Sequence, residues 1–194
     1  MKKKLRRDKK FMKFLKTKLN GLILIEPEPF IDERGKFYRI YCENELKEIG
    51  HKKKIAQINQ SFIKNKGAVR GMHFQYPPKA EIKIVKCLKG SVLDVAIDLR
   101  NNSYTFLDWH SEILSEKNMK MLYIPEGFAH GFQALEKNSE LLYLHTEFYC
   151  PDYERGIKYD DPKIGINWLL EITDVSERDK SFKLIDDNFK GIEI

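Results

Sequence analysis

The sequence predicts an all-β protein, most economically an antiparallel jelly-roll barrel with short helices and an irregular C-terminal segment. Between residues 21 and 150 at least eight short apolar runs are separated by Gly- or Asn-bearing turns, the spacing of an antiparallel sandwich or barrel. Helical signals are few and brief. Four of the apolar runs also carry a stranded basic or phenolic residue: His73 in VRGMHFQ, Lys83 in EIKIVKCL, His130 in YIPEGFAHGF and Tyr143 in ELLYLHTEFY. Such a group on the buried face of a strand costs free energy unless it is hydrogen-bonded or used. Four of them in four strands describe the lining of an enzyme pocket.

The elements follow in order. GLILIEPEPF is a strand punctuated by two prolines, and IDERGKFYRIY turns at Glu33-Arg34-Gly35 before an alternating strand. NELKEIG (44–50) is the best short helix, with Asn44 as its N-cap and Gly50 as its stop. IAQINQSFI, a turn at Asn65-Lys66-Gly67, and VRGMHFQ come next, closed by the loop at Pro77-Pro78. EIKIVKCL and SVLDVAIDLR are two strands joined tightly at Gly90, and TFLDWHSEIL, MLYIPEGFAHGFQAL and ELLYLHTEFY complete the set. Past Pro151 the pattern turns irregular, apart from a helix over SERDKSFKLID capped by Ser176. Arg70 and His73 have opposite strand parity. They enter one pocket only if the strand bulges, which Gly71 permits.

Composition bounds the function. The 194 residues suit one domain, and 42% hydrophobic with 33% charged residues is ordinary for a globular chain. No apolar run approaches the ~20 residues that cross a bilayer, so no integral membrane segment is expected. Three cysteines (Cys42, Cys87, Cys150) without CxxC spacing read as free thiols in a reducing, cytoplasmic compartment. The net charge of +6 is concentrated in residues 1–20, which hold ten Lys or Arg and one Asp. The remaining chain has 25 basic and 28 acidic residues, so nucleic-acid binding is not expected. Residues 1–20 are read as a solvated basic extension, in preference to a membrane-touching segment, and residues 21–194 as the jelly-roll domain. Lysines 13, 16 and 18 break any apolar core of a signal peptide.

The chemistry is narrowed by elimination. The five histidines include no pair at i, i+2 or i, i+4, and position 75 is Gln where a metal-binding barrel commonly places a second histidine. Neither GxSxG nor a dinucleotide or phosphate loop occurs. Proton transfer remains, with His73 as base, Tyr143 as acid, and Lys83 or Arg70 to hold negative charge. Taken singly, each has an ordinary structural account: a hydrogen-bonded core histidine, an edge tyrosine, a snorkelling lysine.

Taken together, DERG (32–35), VRGMHFQ, KIVKCLKGSVLDVAIDLR (83–100), IPEGFAHGF (124–132), LLYLHTEFY, ERGIKYDDPKIGINW (154–168) and SERD (176–179) resemble the dTDP-4-dehydrorhamnose 3,5-epimerase family. The resemblance implies a cupin-type jelly roll without metal or cofactor. It further implies a homodimer in which N-terminal strands of one subunit help complete the partner's site. The substrate would be a nucleotide-diphosphate 4-keto-6-deoxysugar, epimerised at C3 and C5 through an enolate. On this resemblance His73 is the base, oriented by Asp179, Tyr143 is the acid on the opposite face, and Lys83 stabilises the enolate oxygen. Such a group is typically worth about 2.7–4 kcal/mol. Arg34, Gln57, Asn59, Arg70, His130 and Phe148 match positions that hold sugar, nucleotide or diphosphate.

Two positions depart from rhamnose-pathway members. Arg39 stands where many carry a glutamate, and Phe148 where many carry the first tyrosine of a pair. Both fall on binding rather than on proton transfer. Two alternatives stay open: a single-carbon epimerase or ketoisomerase on a CDP- or GDP-linked keto-sugar, and a non-catalytic sugar-nucleotide-binding cupin.

Overall fold

Apolar alternation sorts the strands into two facing antiparallel sheets. The structure, a computed structural model, describes residues 10–194; residues 1–9 of the expected basic extension lie outside the described residues. In chain order the strands are β1 (Met12–Lys16), β2 (Ile23–Pro27), β3 (Phe30–Asp32), β4 (Gly35–Phe37), β5 (Gln57–Ile63), β6 (Val69–Gln75) and β7 (Lys83–Lys89). They continue as β8 (Ser91–Asp98), β9 (Trp109–Ser115), β10 (Met121–Ile124), β11 (Phe128–Ala134), β12 (Ser139–His145) and β13 (Glu154–Gly156). One sheet has the order β1-β2-β10-β7-β12-β5 and the other β13-β6-β11-β8-β9, while β3 and β4 form a separate hairpin. This is the expected jelly roll, all-β with short helices.

Three apolar clusters explain why the runs are so continuous. Val85, Cys87, Leu122 and Leu141 from the first sheet meet Val92, Ala96, Phe128 and Phe132 from the second. The outer face of the second sheet (Leu93, Val95, Ile97, Ala129) is covered by Ile157, Ile164, Ile185 and Ile192 of the C-terminal segment. The outer face of the first (Ile84, Met121, Tyr123, Leu144) is covered by Leu46, Tyr41 and Ile49. Strand β8 is therefore buried at every position, as a strand covered on both faces must be.

Four local expectations differ from the structure. Met12–Lys16 was expected in a solvated extension but forms β1, paired to β2 with Met12 buried. Its docking is explained by Glu45, whose carboxylate accepts the N–H groups of Phe11 and Met12 at 3.0 Å each. The short helix α1 (Glu43–Leu46) starts after Cys42, so Asn44 lies inside it, and a 3-10 turn (Lys47–Ile49) carries it to Gly50 at φ 79°. The helix expected over SERDKSFKLID is only α2 (Glu177–Lys180), with Ser176 accepting from the Asp179 N–H. It ends there because the chain turns to set Phe182 against Gly156 and edge-on to His73. The C-terminal segment is also less irregular than expected, since it supplies β13 and two parallel bridges, Ala68 to Asp174 and Arg100 to Ile192.

Lys86 is fully buried on the outer face of β7, its Nζ 3.0 Å from the Met119 carbonyl and 4.7 Å from the centre of the Tyr38 ring. Burial pushes its ammonium down to about 8 from the usual 10.5. The unfolded chain then binds the extra proton between those values, so its stability rises with pH across that window. Below pH 8 the cost is constant. Lys86→Met should abolish this rise, as read by urea unfolding of both proteins from pH 7 to 10.5; parallel curves would show that Lys86 is not desolvated.

Candidate active site

A cavity of roughly 270 Å³ opens between the two sheets, lined by Gln57, Asn59, Arg70, His73, Lys83, His130 and Tyr143 among others. Strand parity places these groups. On β12, Leu141, Tyr143 and His145 face inward, while Leu142 and Leu144 face the outer cluster. On β7, Lys83 shares the inward face with Val85 and Cys87.

The bulge expected at Gly71 is present. His130 pairs with His73, but Phe132 pairs with Arg70, so three steps on β6 oppose two on β11. The extra residue flips the parity and brings Arg70 and His73 to one cavity. Gly71 has φ 119°, and a Cβ there would meet the Gly131 Cα at 2.5 Å and the His130 carbonyl oxygen at 2.8 Å. Only glycine fits this approach.

Asp179 reaches the site from α2 and stands behind His73. Its Oδ1 is 2.7 Å from His73 Nε2, and its Oδ2 accepts the Gly71 N–H at 3.1 Å. Burial works against the carboxylate, but the hydrogen bond and charge of His73, with the Gly71 and Ser176 contacts, hold it below the usual carboxylate range. An ionised carboxylate only accepts, so His73 Nε2 donates, and in the neutral ring Nδ1 holds the lone pair. This arrangement suits a base whose tautomer is fixed by its neighbour.

Tyr143 stands on the other wall, in the other sheet. Burial pushes its phenol well above the usual value, opposed by the Ser61 hydroxyl 3.0 Å away and reinforced by Asp94. A phenol held up in this way keeps its proton at neutral pH, as a proton donor requires. Lys83 Nζ lies 3.3 Å from Glu81 Oε1 and 3.4 Å from the His73 carbonyl oxygen. His130 pairs with buried Asp94 at 2.8 Å. Cys87 is buried with its thiol pushed up to about 11 by desolvation, which makes it a poor nucleophile. Among the described residues no group of three or more His, Cys, Asp or Glu is arranged to hold a metal ion.

Two expected binding residues are not among those lining the cavity. Arg34 is 83% exposed on the β3–β4 hairpin, clasping Asp32. Phe148 is 63% exposed, while its neighbour Tyr149 lines the cavity. Arg39 pairs with Glu45 and covers the Phe11 ring at 4.3 Å. Lining or supporting groups not singled out from sequence include Glu81, Ser61, Asp94 and His145. Asp94 carried a usable signal, an acid of inward parity inside the apolar strand SVLDVAID.

A family model described as dTDP-4-dehydrorhamnose 3,5-epimerase matches residues 16–187. The chain is 44% identical over 179 residues, 91% of this chain and 96% of the relative, to the dTDP-4-dehydrorhamnose 3,5-epimerase of Methanothermobacter thermautotrophicus. It is similar to a dTDP-6-deoxy-D-glucose-3,5-epimerase of Legionella pneumophila solved in complex with dTDP-4-keto-L-rhamnose: 36% identity, TM-score 0.87, covering 94% of this chain and 99% of that one. It is also similar, at 29% identity and TM-score 0.81 over 87% of this chain and 85% of that one, to a 3'-monoepimerase of Streptomyces bikiniensis in complex with dTDP-quinovose.

Gly71→Ala should destabilise the fold by about 1–3 kcal/mol, the range for overpacking a close contact. A denaturant unfolding midpoint equal to the wild-type value would show that the bulge tolerates a side chain.

Proposed function

The chain belongs to the dTDP-4-dehydrorhamnose 3,5-epimerase family, and from that membership we propose that it converts dTDP-4-dehydro-6-deoxyglucose to dTDP-4-dehydrorhamnose by inverting C3 and C5. The observation that carries the reading is the pairing of a base and an acid on opposite sheets, His73 on β6 and Tyr143 on β12, across one cavity. Inversion at a carbon next to a ketone needs a proton taken from one face and returned to the other.

The C4 ketone acidifies the hydrogens on C3 and C5. His73 Nδ1 removes one of them, and the ion pair with Asp179 stabilises the imidazolium that results. Charge collects on the C4 oxygen, where the Lys83 ammonium meets it. Tyr143 then delivers a proton to the far face, and the cycle repeats at the second carbon. Arg70, Gln57, Asn59 and His130 hold sugar and diphosphate, the planar guanidinium of Arg70 suiting phosphate oxygens. The free thiols Cys42, Cys87 and Cys150 support work in a reducing cytoplasm.

The enzyme acts as a homodimer. Supporting this, Arg34 lies away from its own cavity, on a hairpin that exposes Ile31 and Phe37, and β5 presents Ile58 and Phe62 to solvent at a sheet edge. Exposed apolar groups on these two elements suit a partner surface. Arg34 and the N-terminal strands then complete the partner's site.

Proton NMR in D2O with dTDP-4-keto-6-deoxyglucose should show loss of both the C3 and C5 signals. Loss at one carbon would identify a single-site epimerase, and no loss would overturn the reading. His73→Asn and Tyr143→Phe should each lower kcat by about 100-fold or more with KM little changed, as for groups acting on protons in transit.

For the dimer, Arg34→Ala and His73→Asn subunits should complement when mixed. Random reassortment gives roughly a quarter of wild-type sites intact in a two-fold dimer. Failure of the mixture to regain activity would place Arg34 outside the partner's site.

A further inference from the structure

Glu81, Lys83 and His145 form a hydrogen-bonded cluster at one corner of the cavity. Lys83 and His145 are register partners across β7 and β12, and Glu81 lies two residues before Lys83. His145 Nδ1 is 2.7 Å from one Glu81 oxygen, and Lys83 Nζ is 3.3 Å from the other. The three side chains are only 10–12% exposed. Burial favours the neutral acid, but the Lys83 ammonium and the His145 hydrogen bond outweigh it and hold the Glu81 carboxyl below its usual range. Glu81 is therefore an acceptor on both oxygens, and His145 donates through Nδ1–H. The His145 ring also stacks on Tyr143, with centroids 5.9 Å apart and planes 26° apart.

Of the three N–H bonds on Lys83, one serves Glu81 and one the His73 carbonyl. Among the described residues the third has no partner, and Lys83 lines the cavity. Burying an ion pair and a histidine together is expensive where apolar packing would serve as well. Concentration of such groups at a cavity wall marks use rather than packing.

We propose that Glu81 and His145 are positioning residues of the reaction: Glu81, anchored by His145, fixes the Lys83 ammonium where the enolate oxygen forms, and the His145 ring braces Tyr143. This inference rests on the epimerase reading. Around the cluster stand Arg70 and His73 on β6, His130 on β11, Tyr143 on β12, and Tyr149 and Glu154 beyond it.

Wild-type exchange at C3 and C5 is measured first, because its absence defeats the epimerase reading and leaves this inference without a reaction to act on. With active wild type, Glu81→Gln keeps the shape and removes the charge. Its kcat should fall on the order of 100-fold, the loss typical of a misplaced reacting group, with KM little changed. A folded Glu81→Gln protein with wild-type kcat would overturn the proposal. Should that variant fail to fold, the comparison of His145→Gln with His145→Leu decides. Glutamine still donates to Glu81, so it should retain clearly more kcat than leucine; equal values would overturn the proposal.

Discussion

The close approach of β6 to β11 at Gly71 and Gly131 is the constraint on which the site depends. Here two backbones meet with no room for a side chain between them, and the β6 strand carries one residue more than its partner. The extra residue turns Arg70 and His73, which a regular strand would send to opposite faces, into neighbours on one wall. The Gly71 N–H freed by the bulge also donates to Asp179, so the same distortion that aims His73 into the cavity helps seat the carboxylate bonded to it. Ser176 caps α2 through the Asp179 N–H, tying the C-terminal segment to the bulge.

The two walls of the cavity differ in their electrostatics. On one, an ionised Asp179 lies against His73, so a positive charge arising there is met by a carboxylate already in place. On the other, Tyr143 is desolvated and faces Asp94, and its phenol resists ionisation. The Lys83 ammonium, tethered to Glu81, lines the same cavity. Environment adds to the difference between imidazole and phenol, so one wall suits taking a proton and the other suits keeping one until it is given.

Much of this was legible in the sequence. Period-two alternation gave the strands, the turns marked their ends, and polar residues stranded on inward positions marked the cavity. The parity conflict between Arg70 and His73, resolved through Gly71, gave the bulge. Other features depend on contacts far apart in the chain. Met12–Lys16 is too rich in lysine to read as a strand, yet Glu45, some 33 residues on, secures its backbone. The helix after Ser176 is short because Phe182 is drawn toward His73, more than a hundred residues earlier. Glu81 and Asp94 passed unmarked because acids next to basic or apolar strands have common solvated roles, and their partners appear only when the sheets face each other. Arg34 and Phe148 matched by position, but the fold does not bring them to the cavity.

The central claim is that Asp179 fixes His73 with its Nδ1 lone pair toward the cavity. Long-range proton–nitrogen NMR on histidine-labelled protein near neutral pH tests it most directly. His73 should show the Nε2–H tautomer in the wild type and lose that preference in Asp179→Asn. An Nδ1–H tautomer in the wild type, or a pattern indifferent to Asp179, would contradict the assignment of His73 as the oriented base.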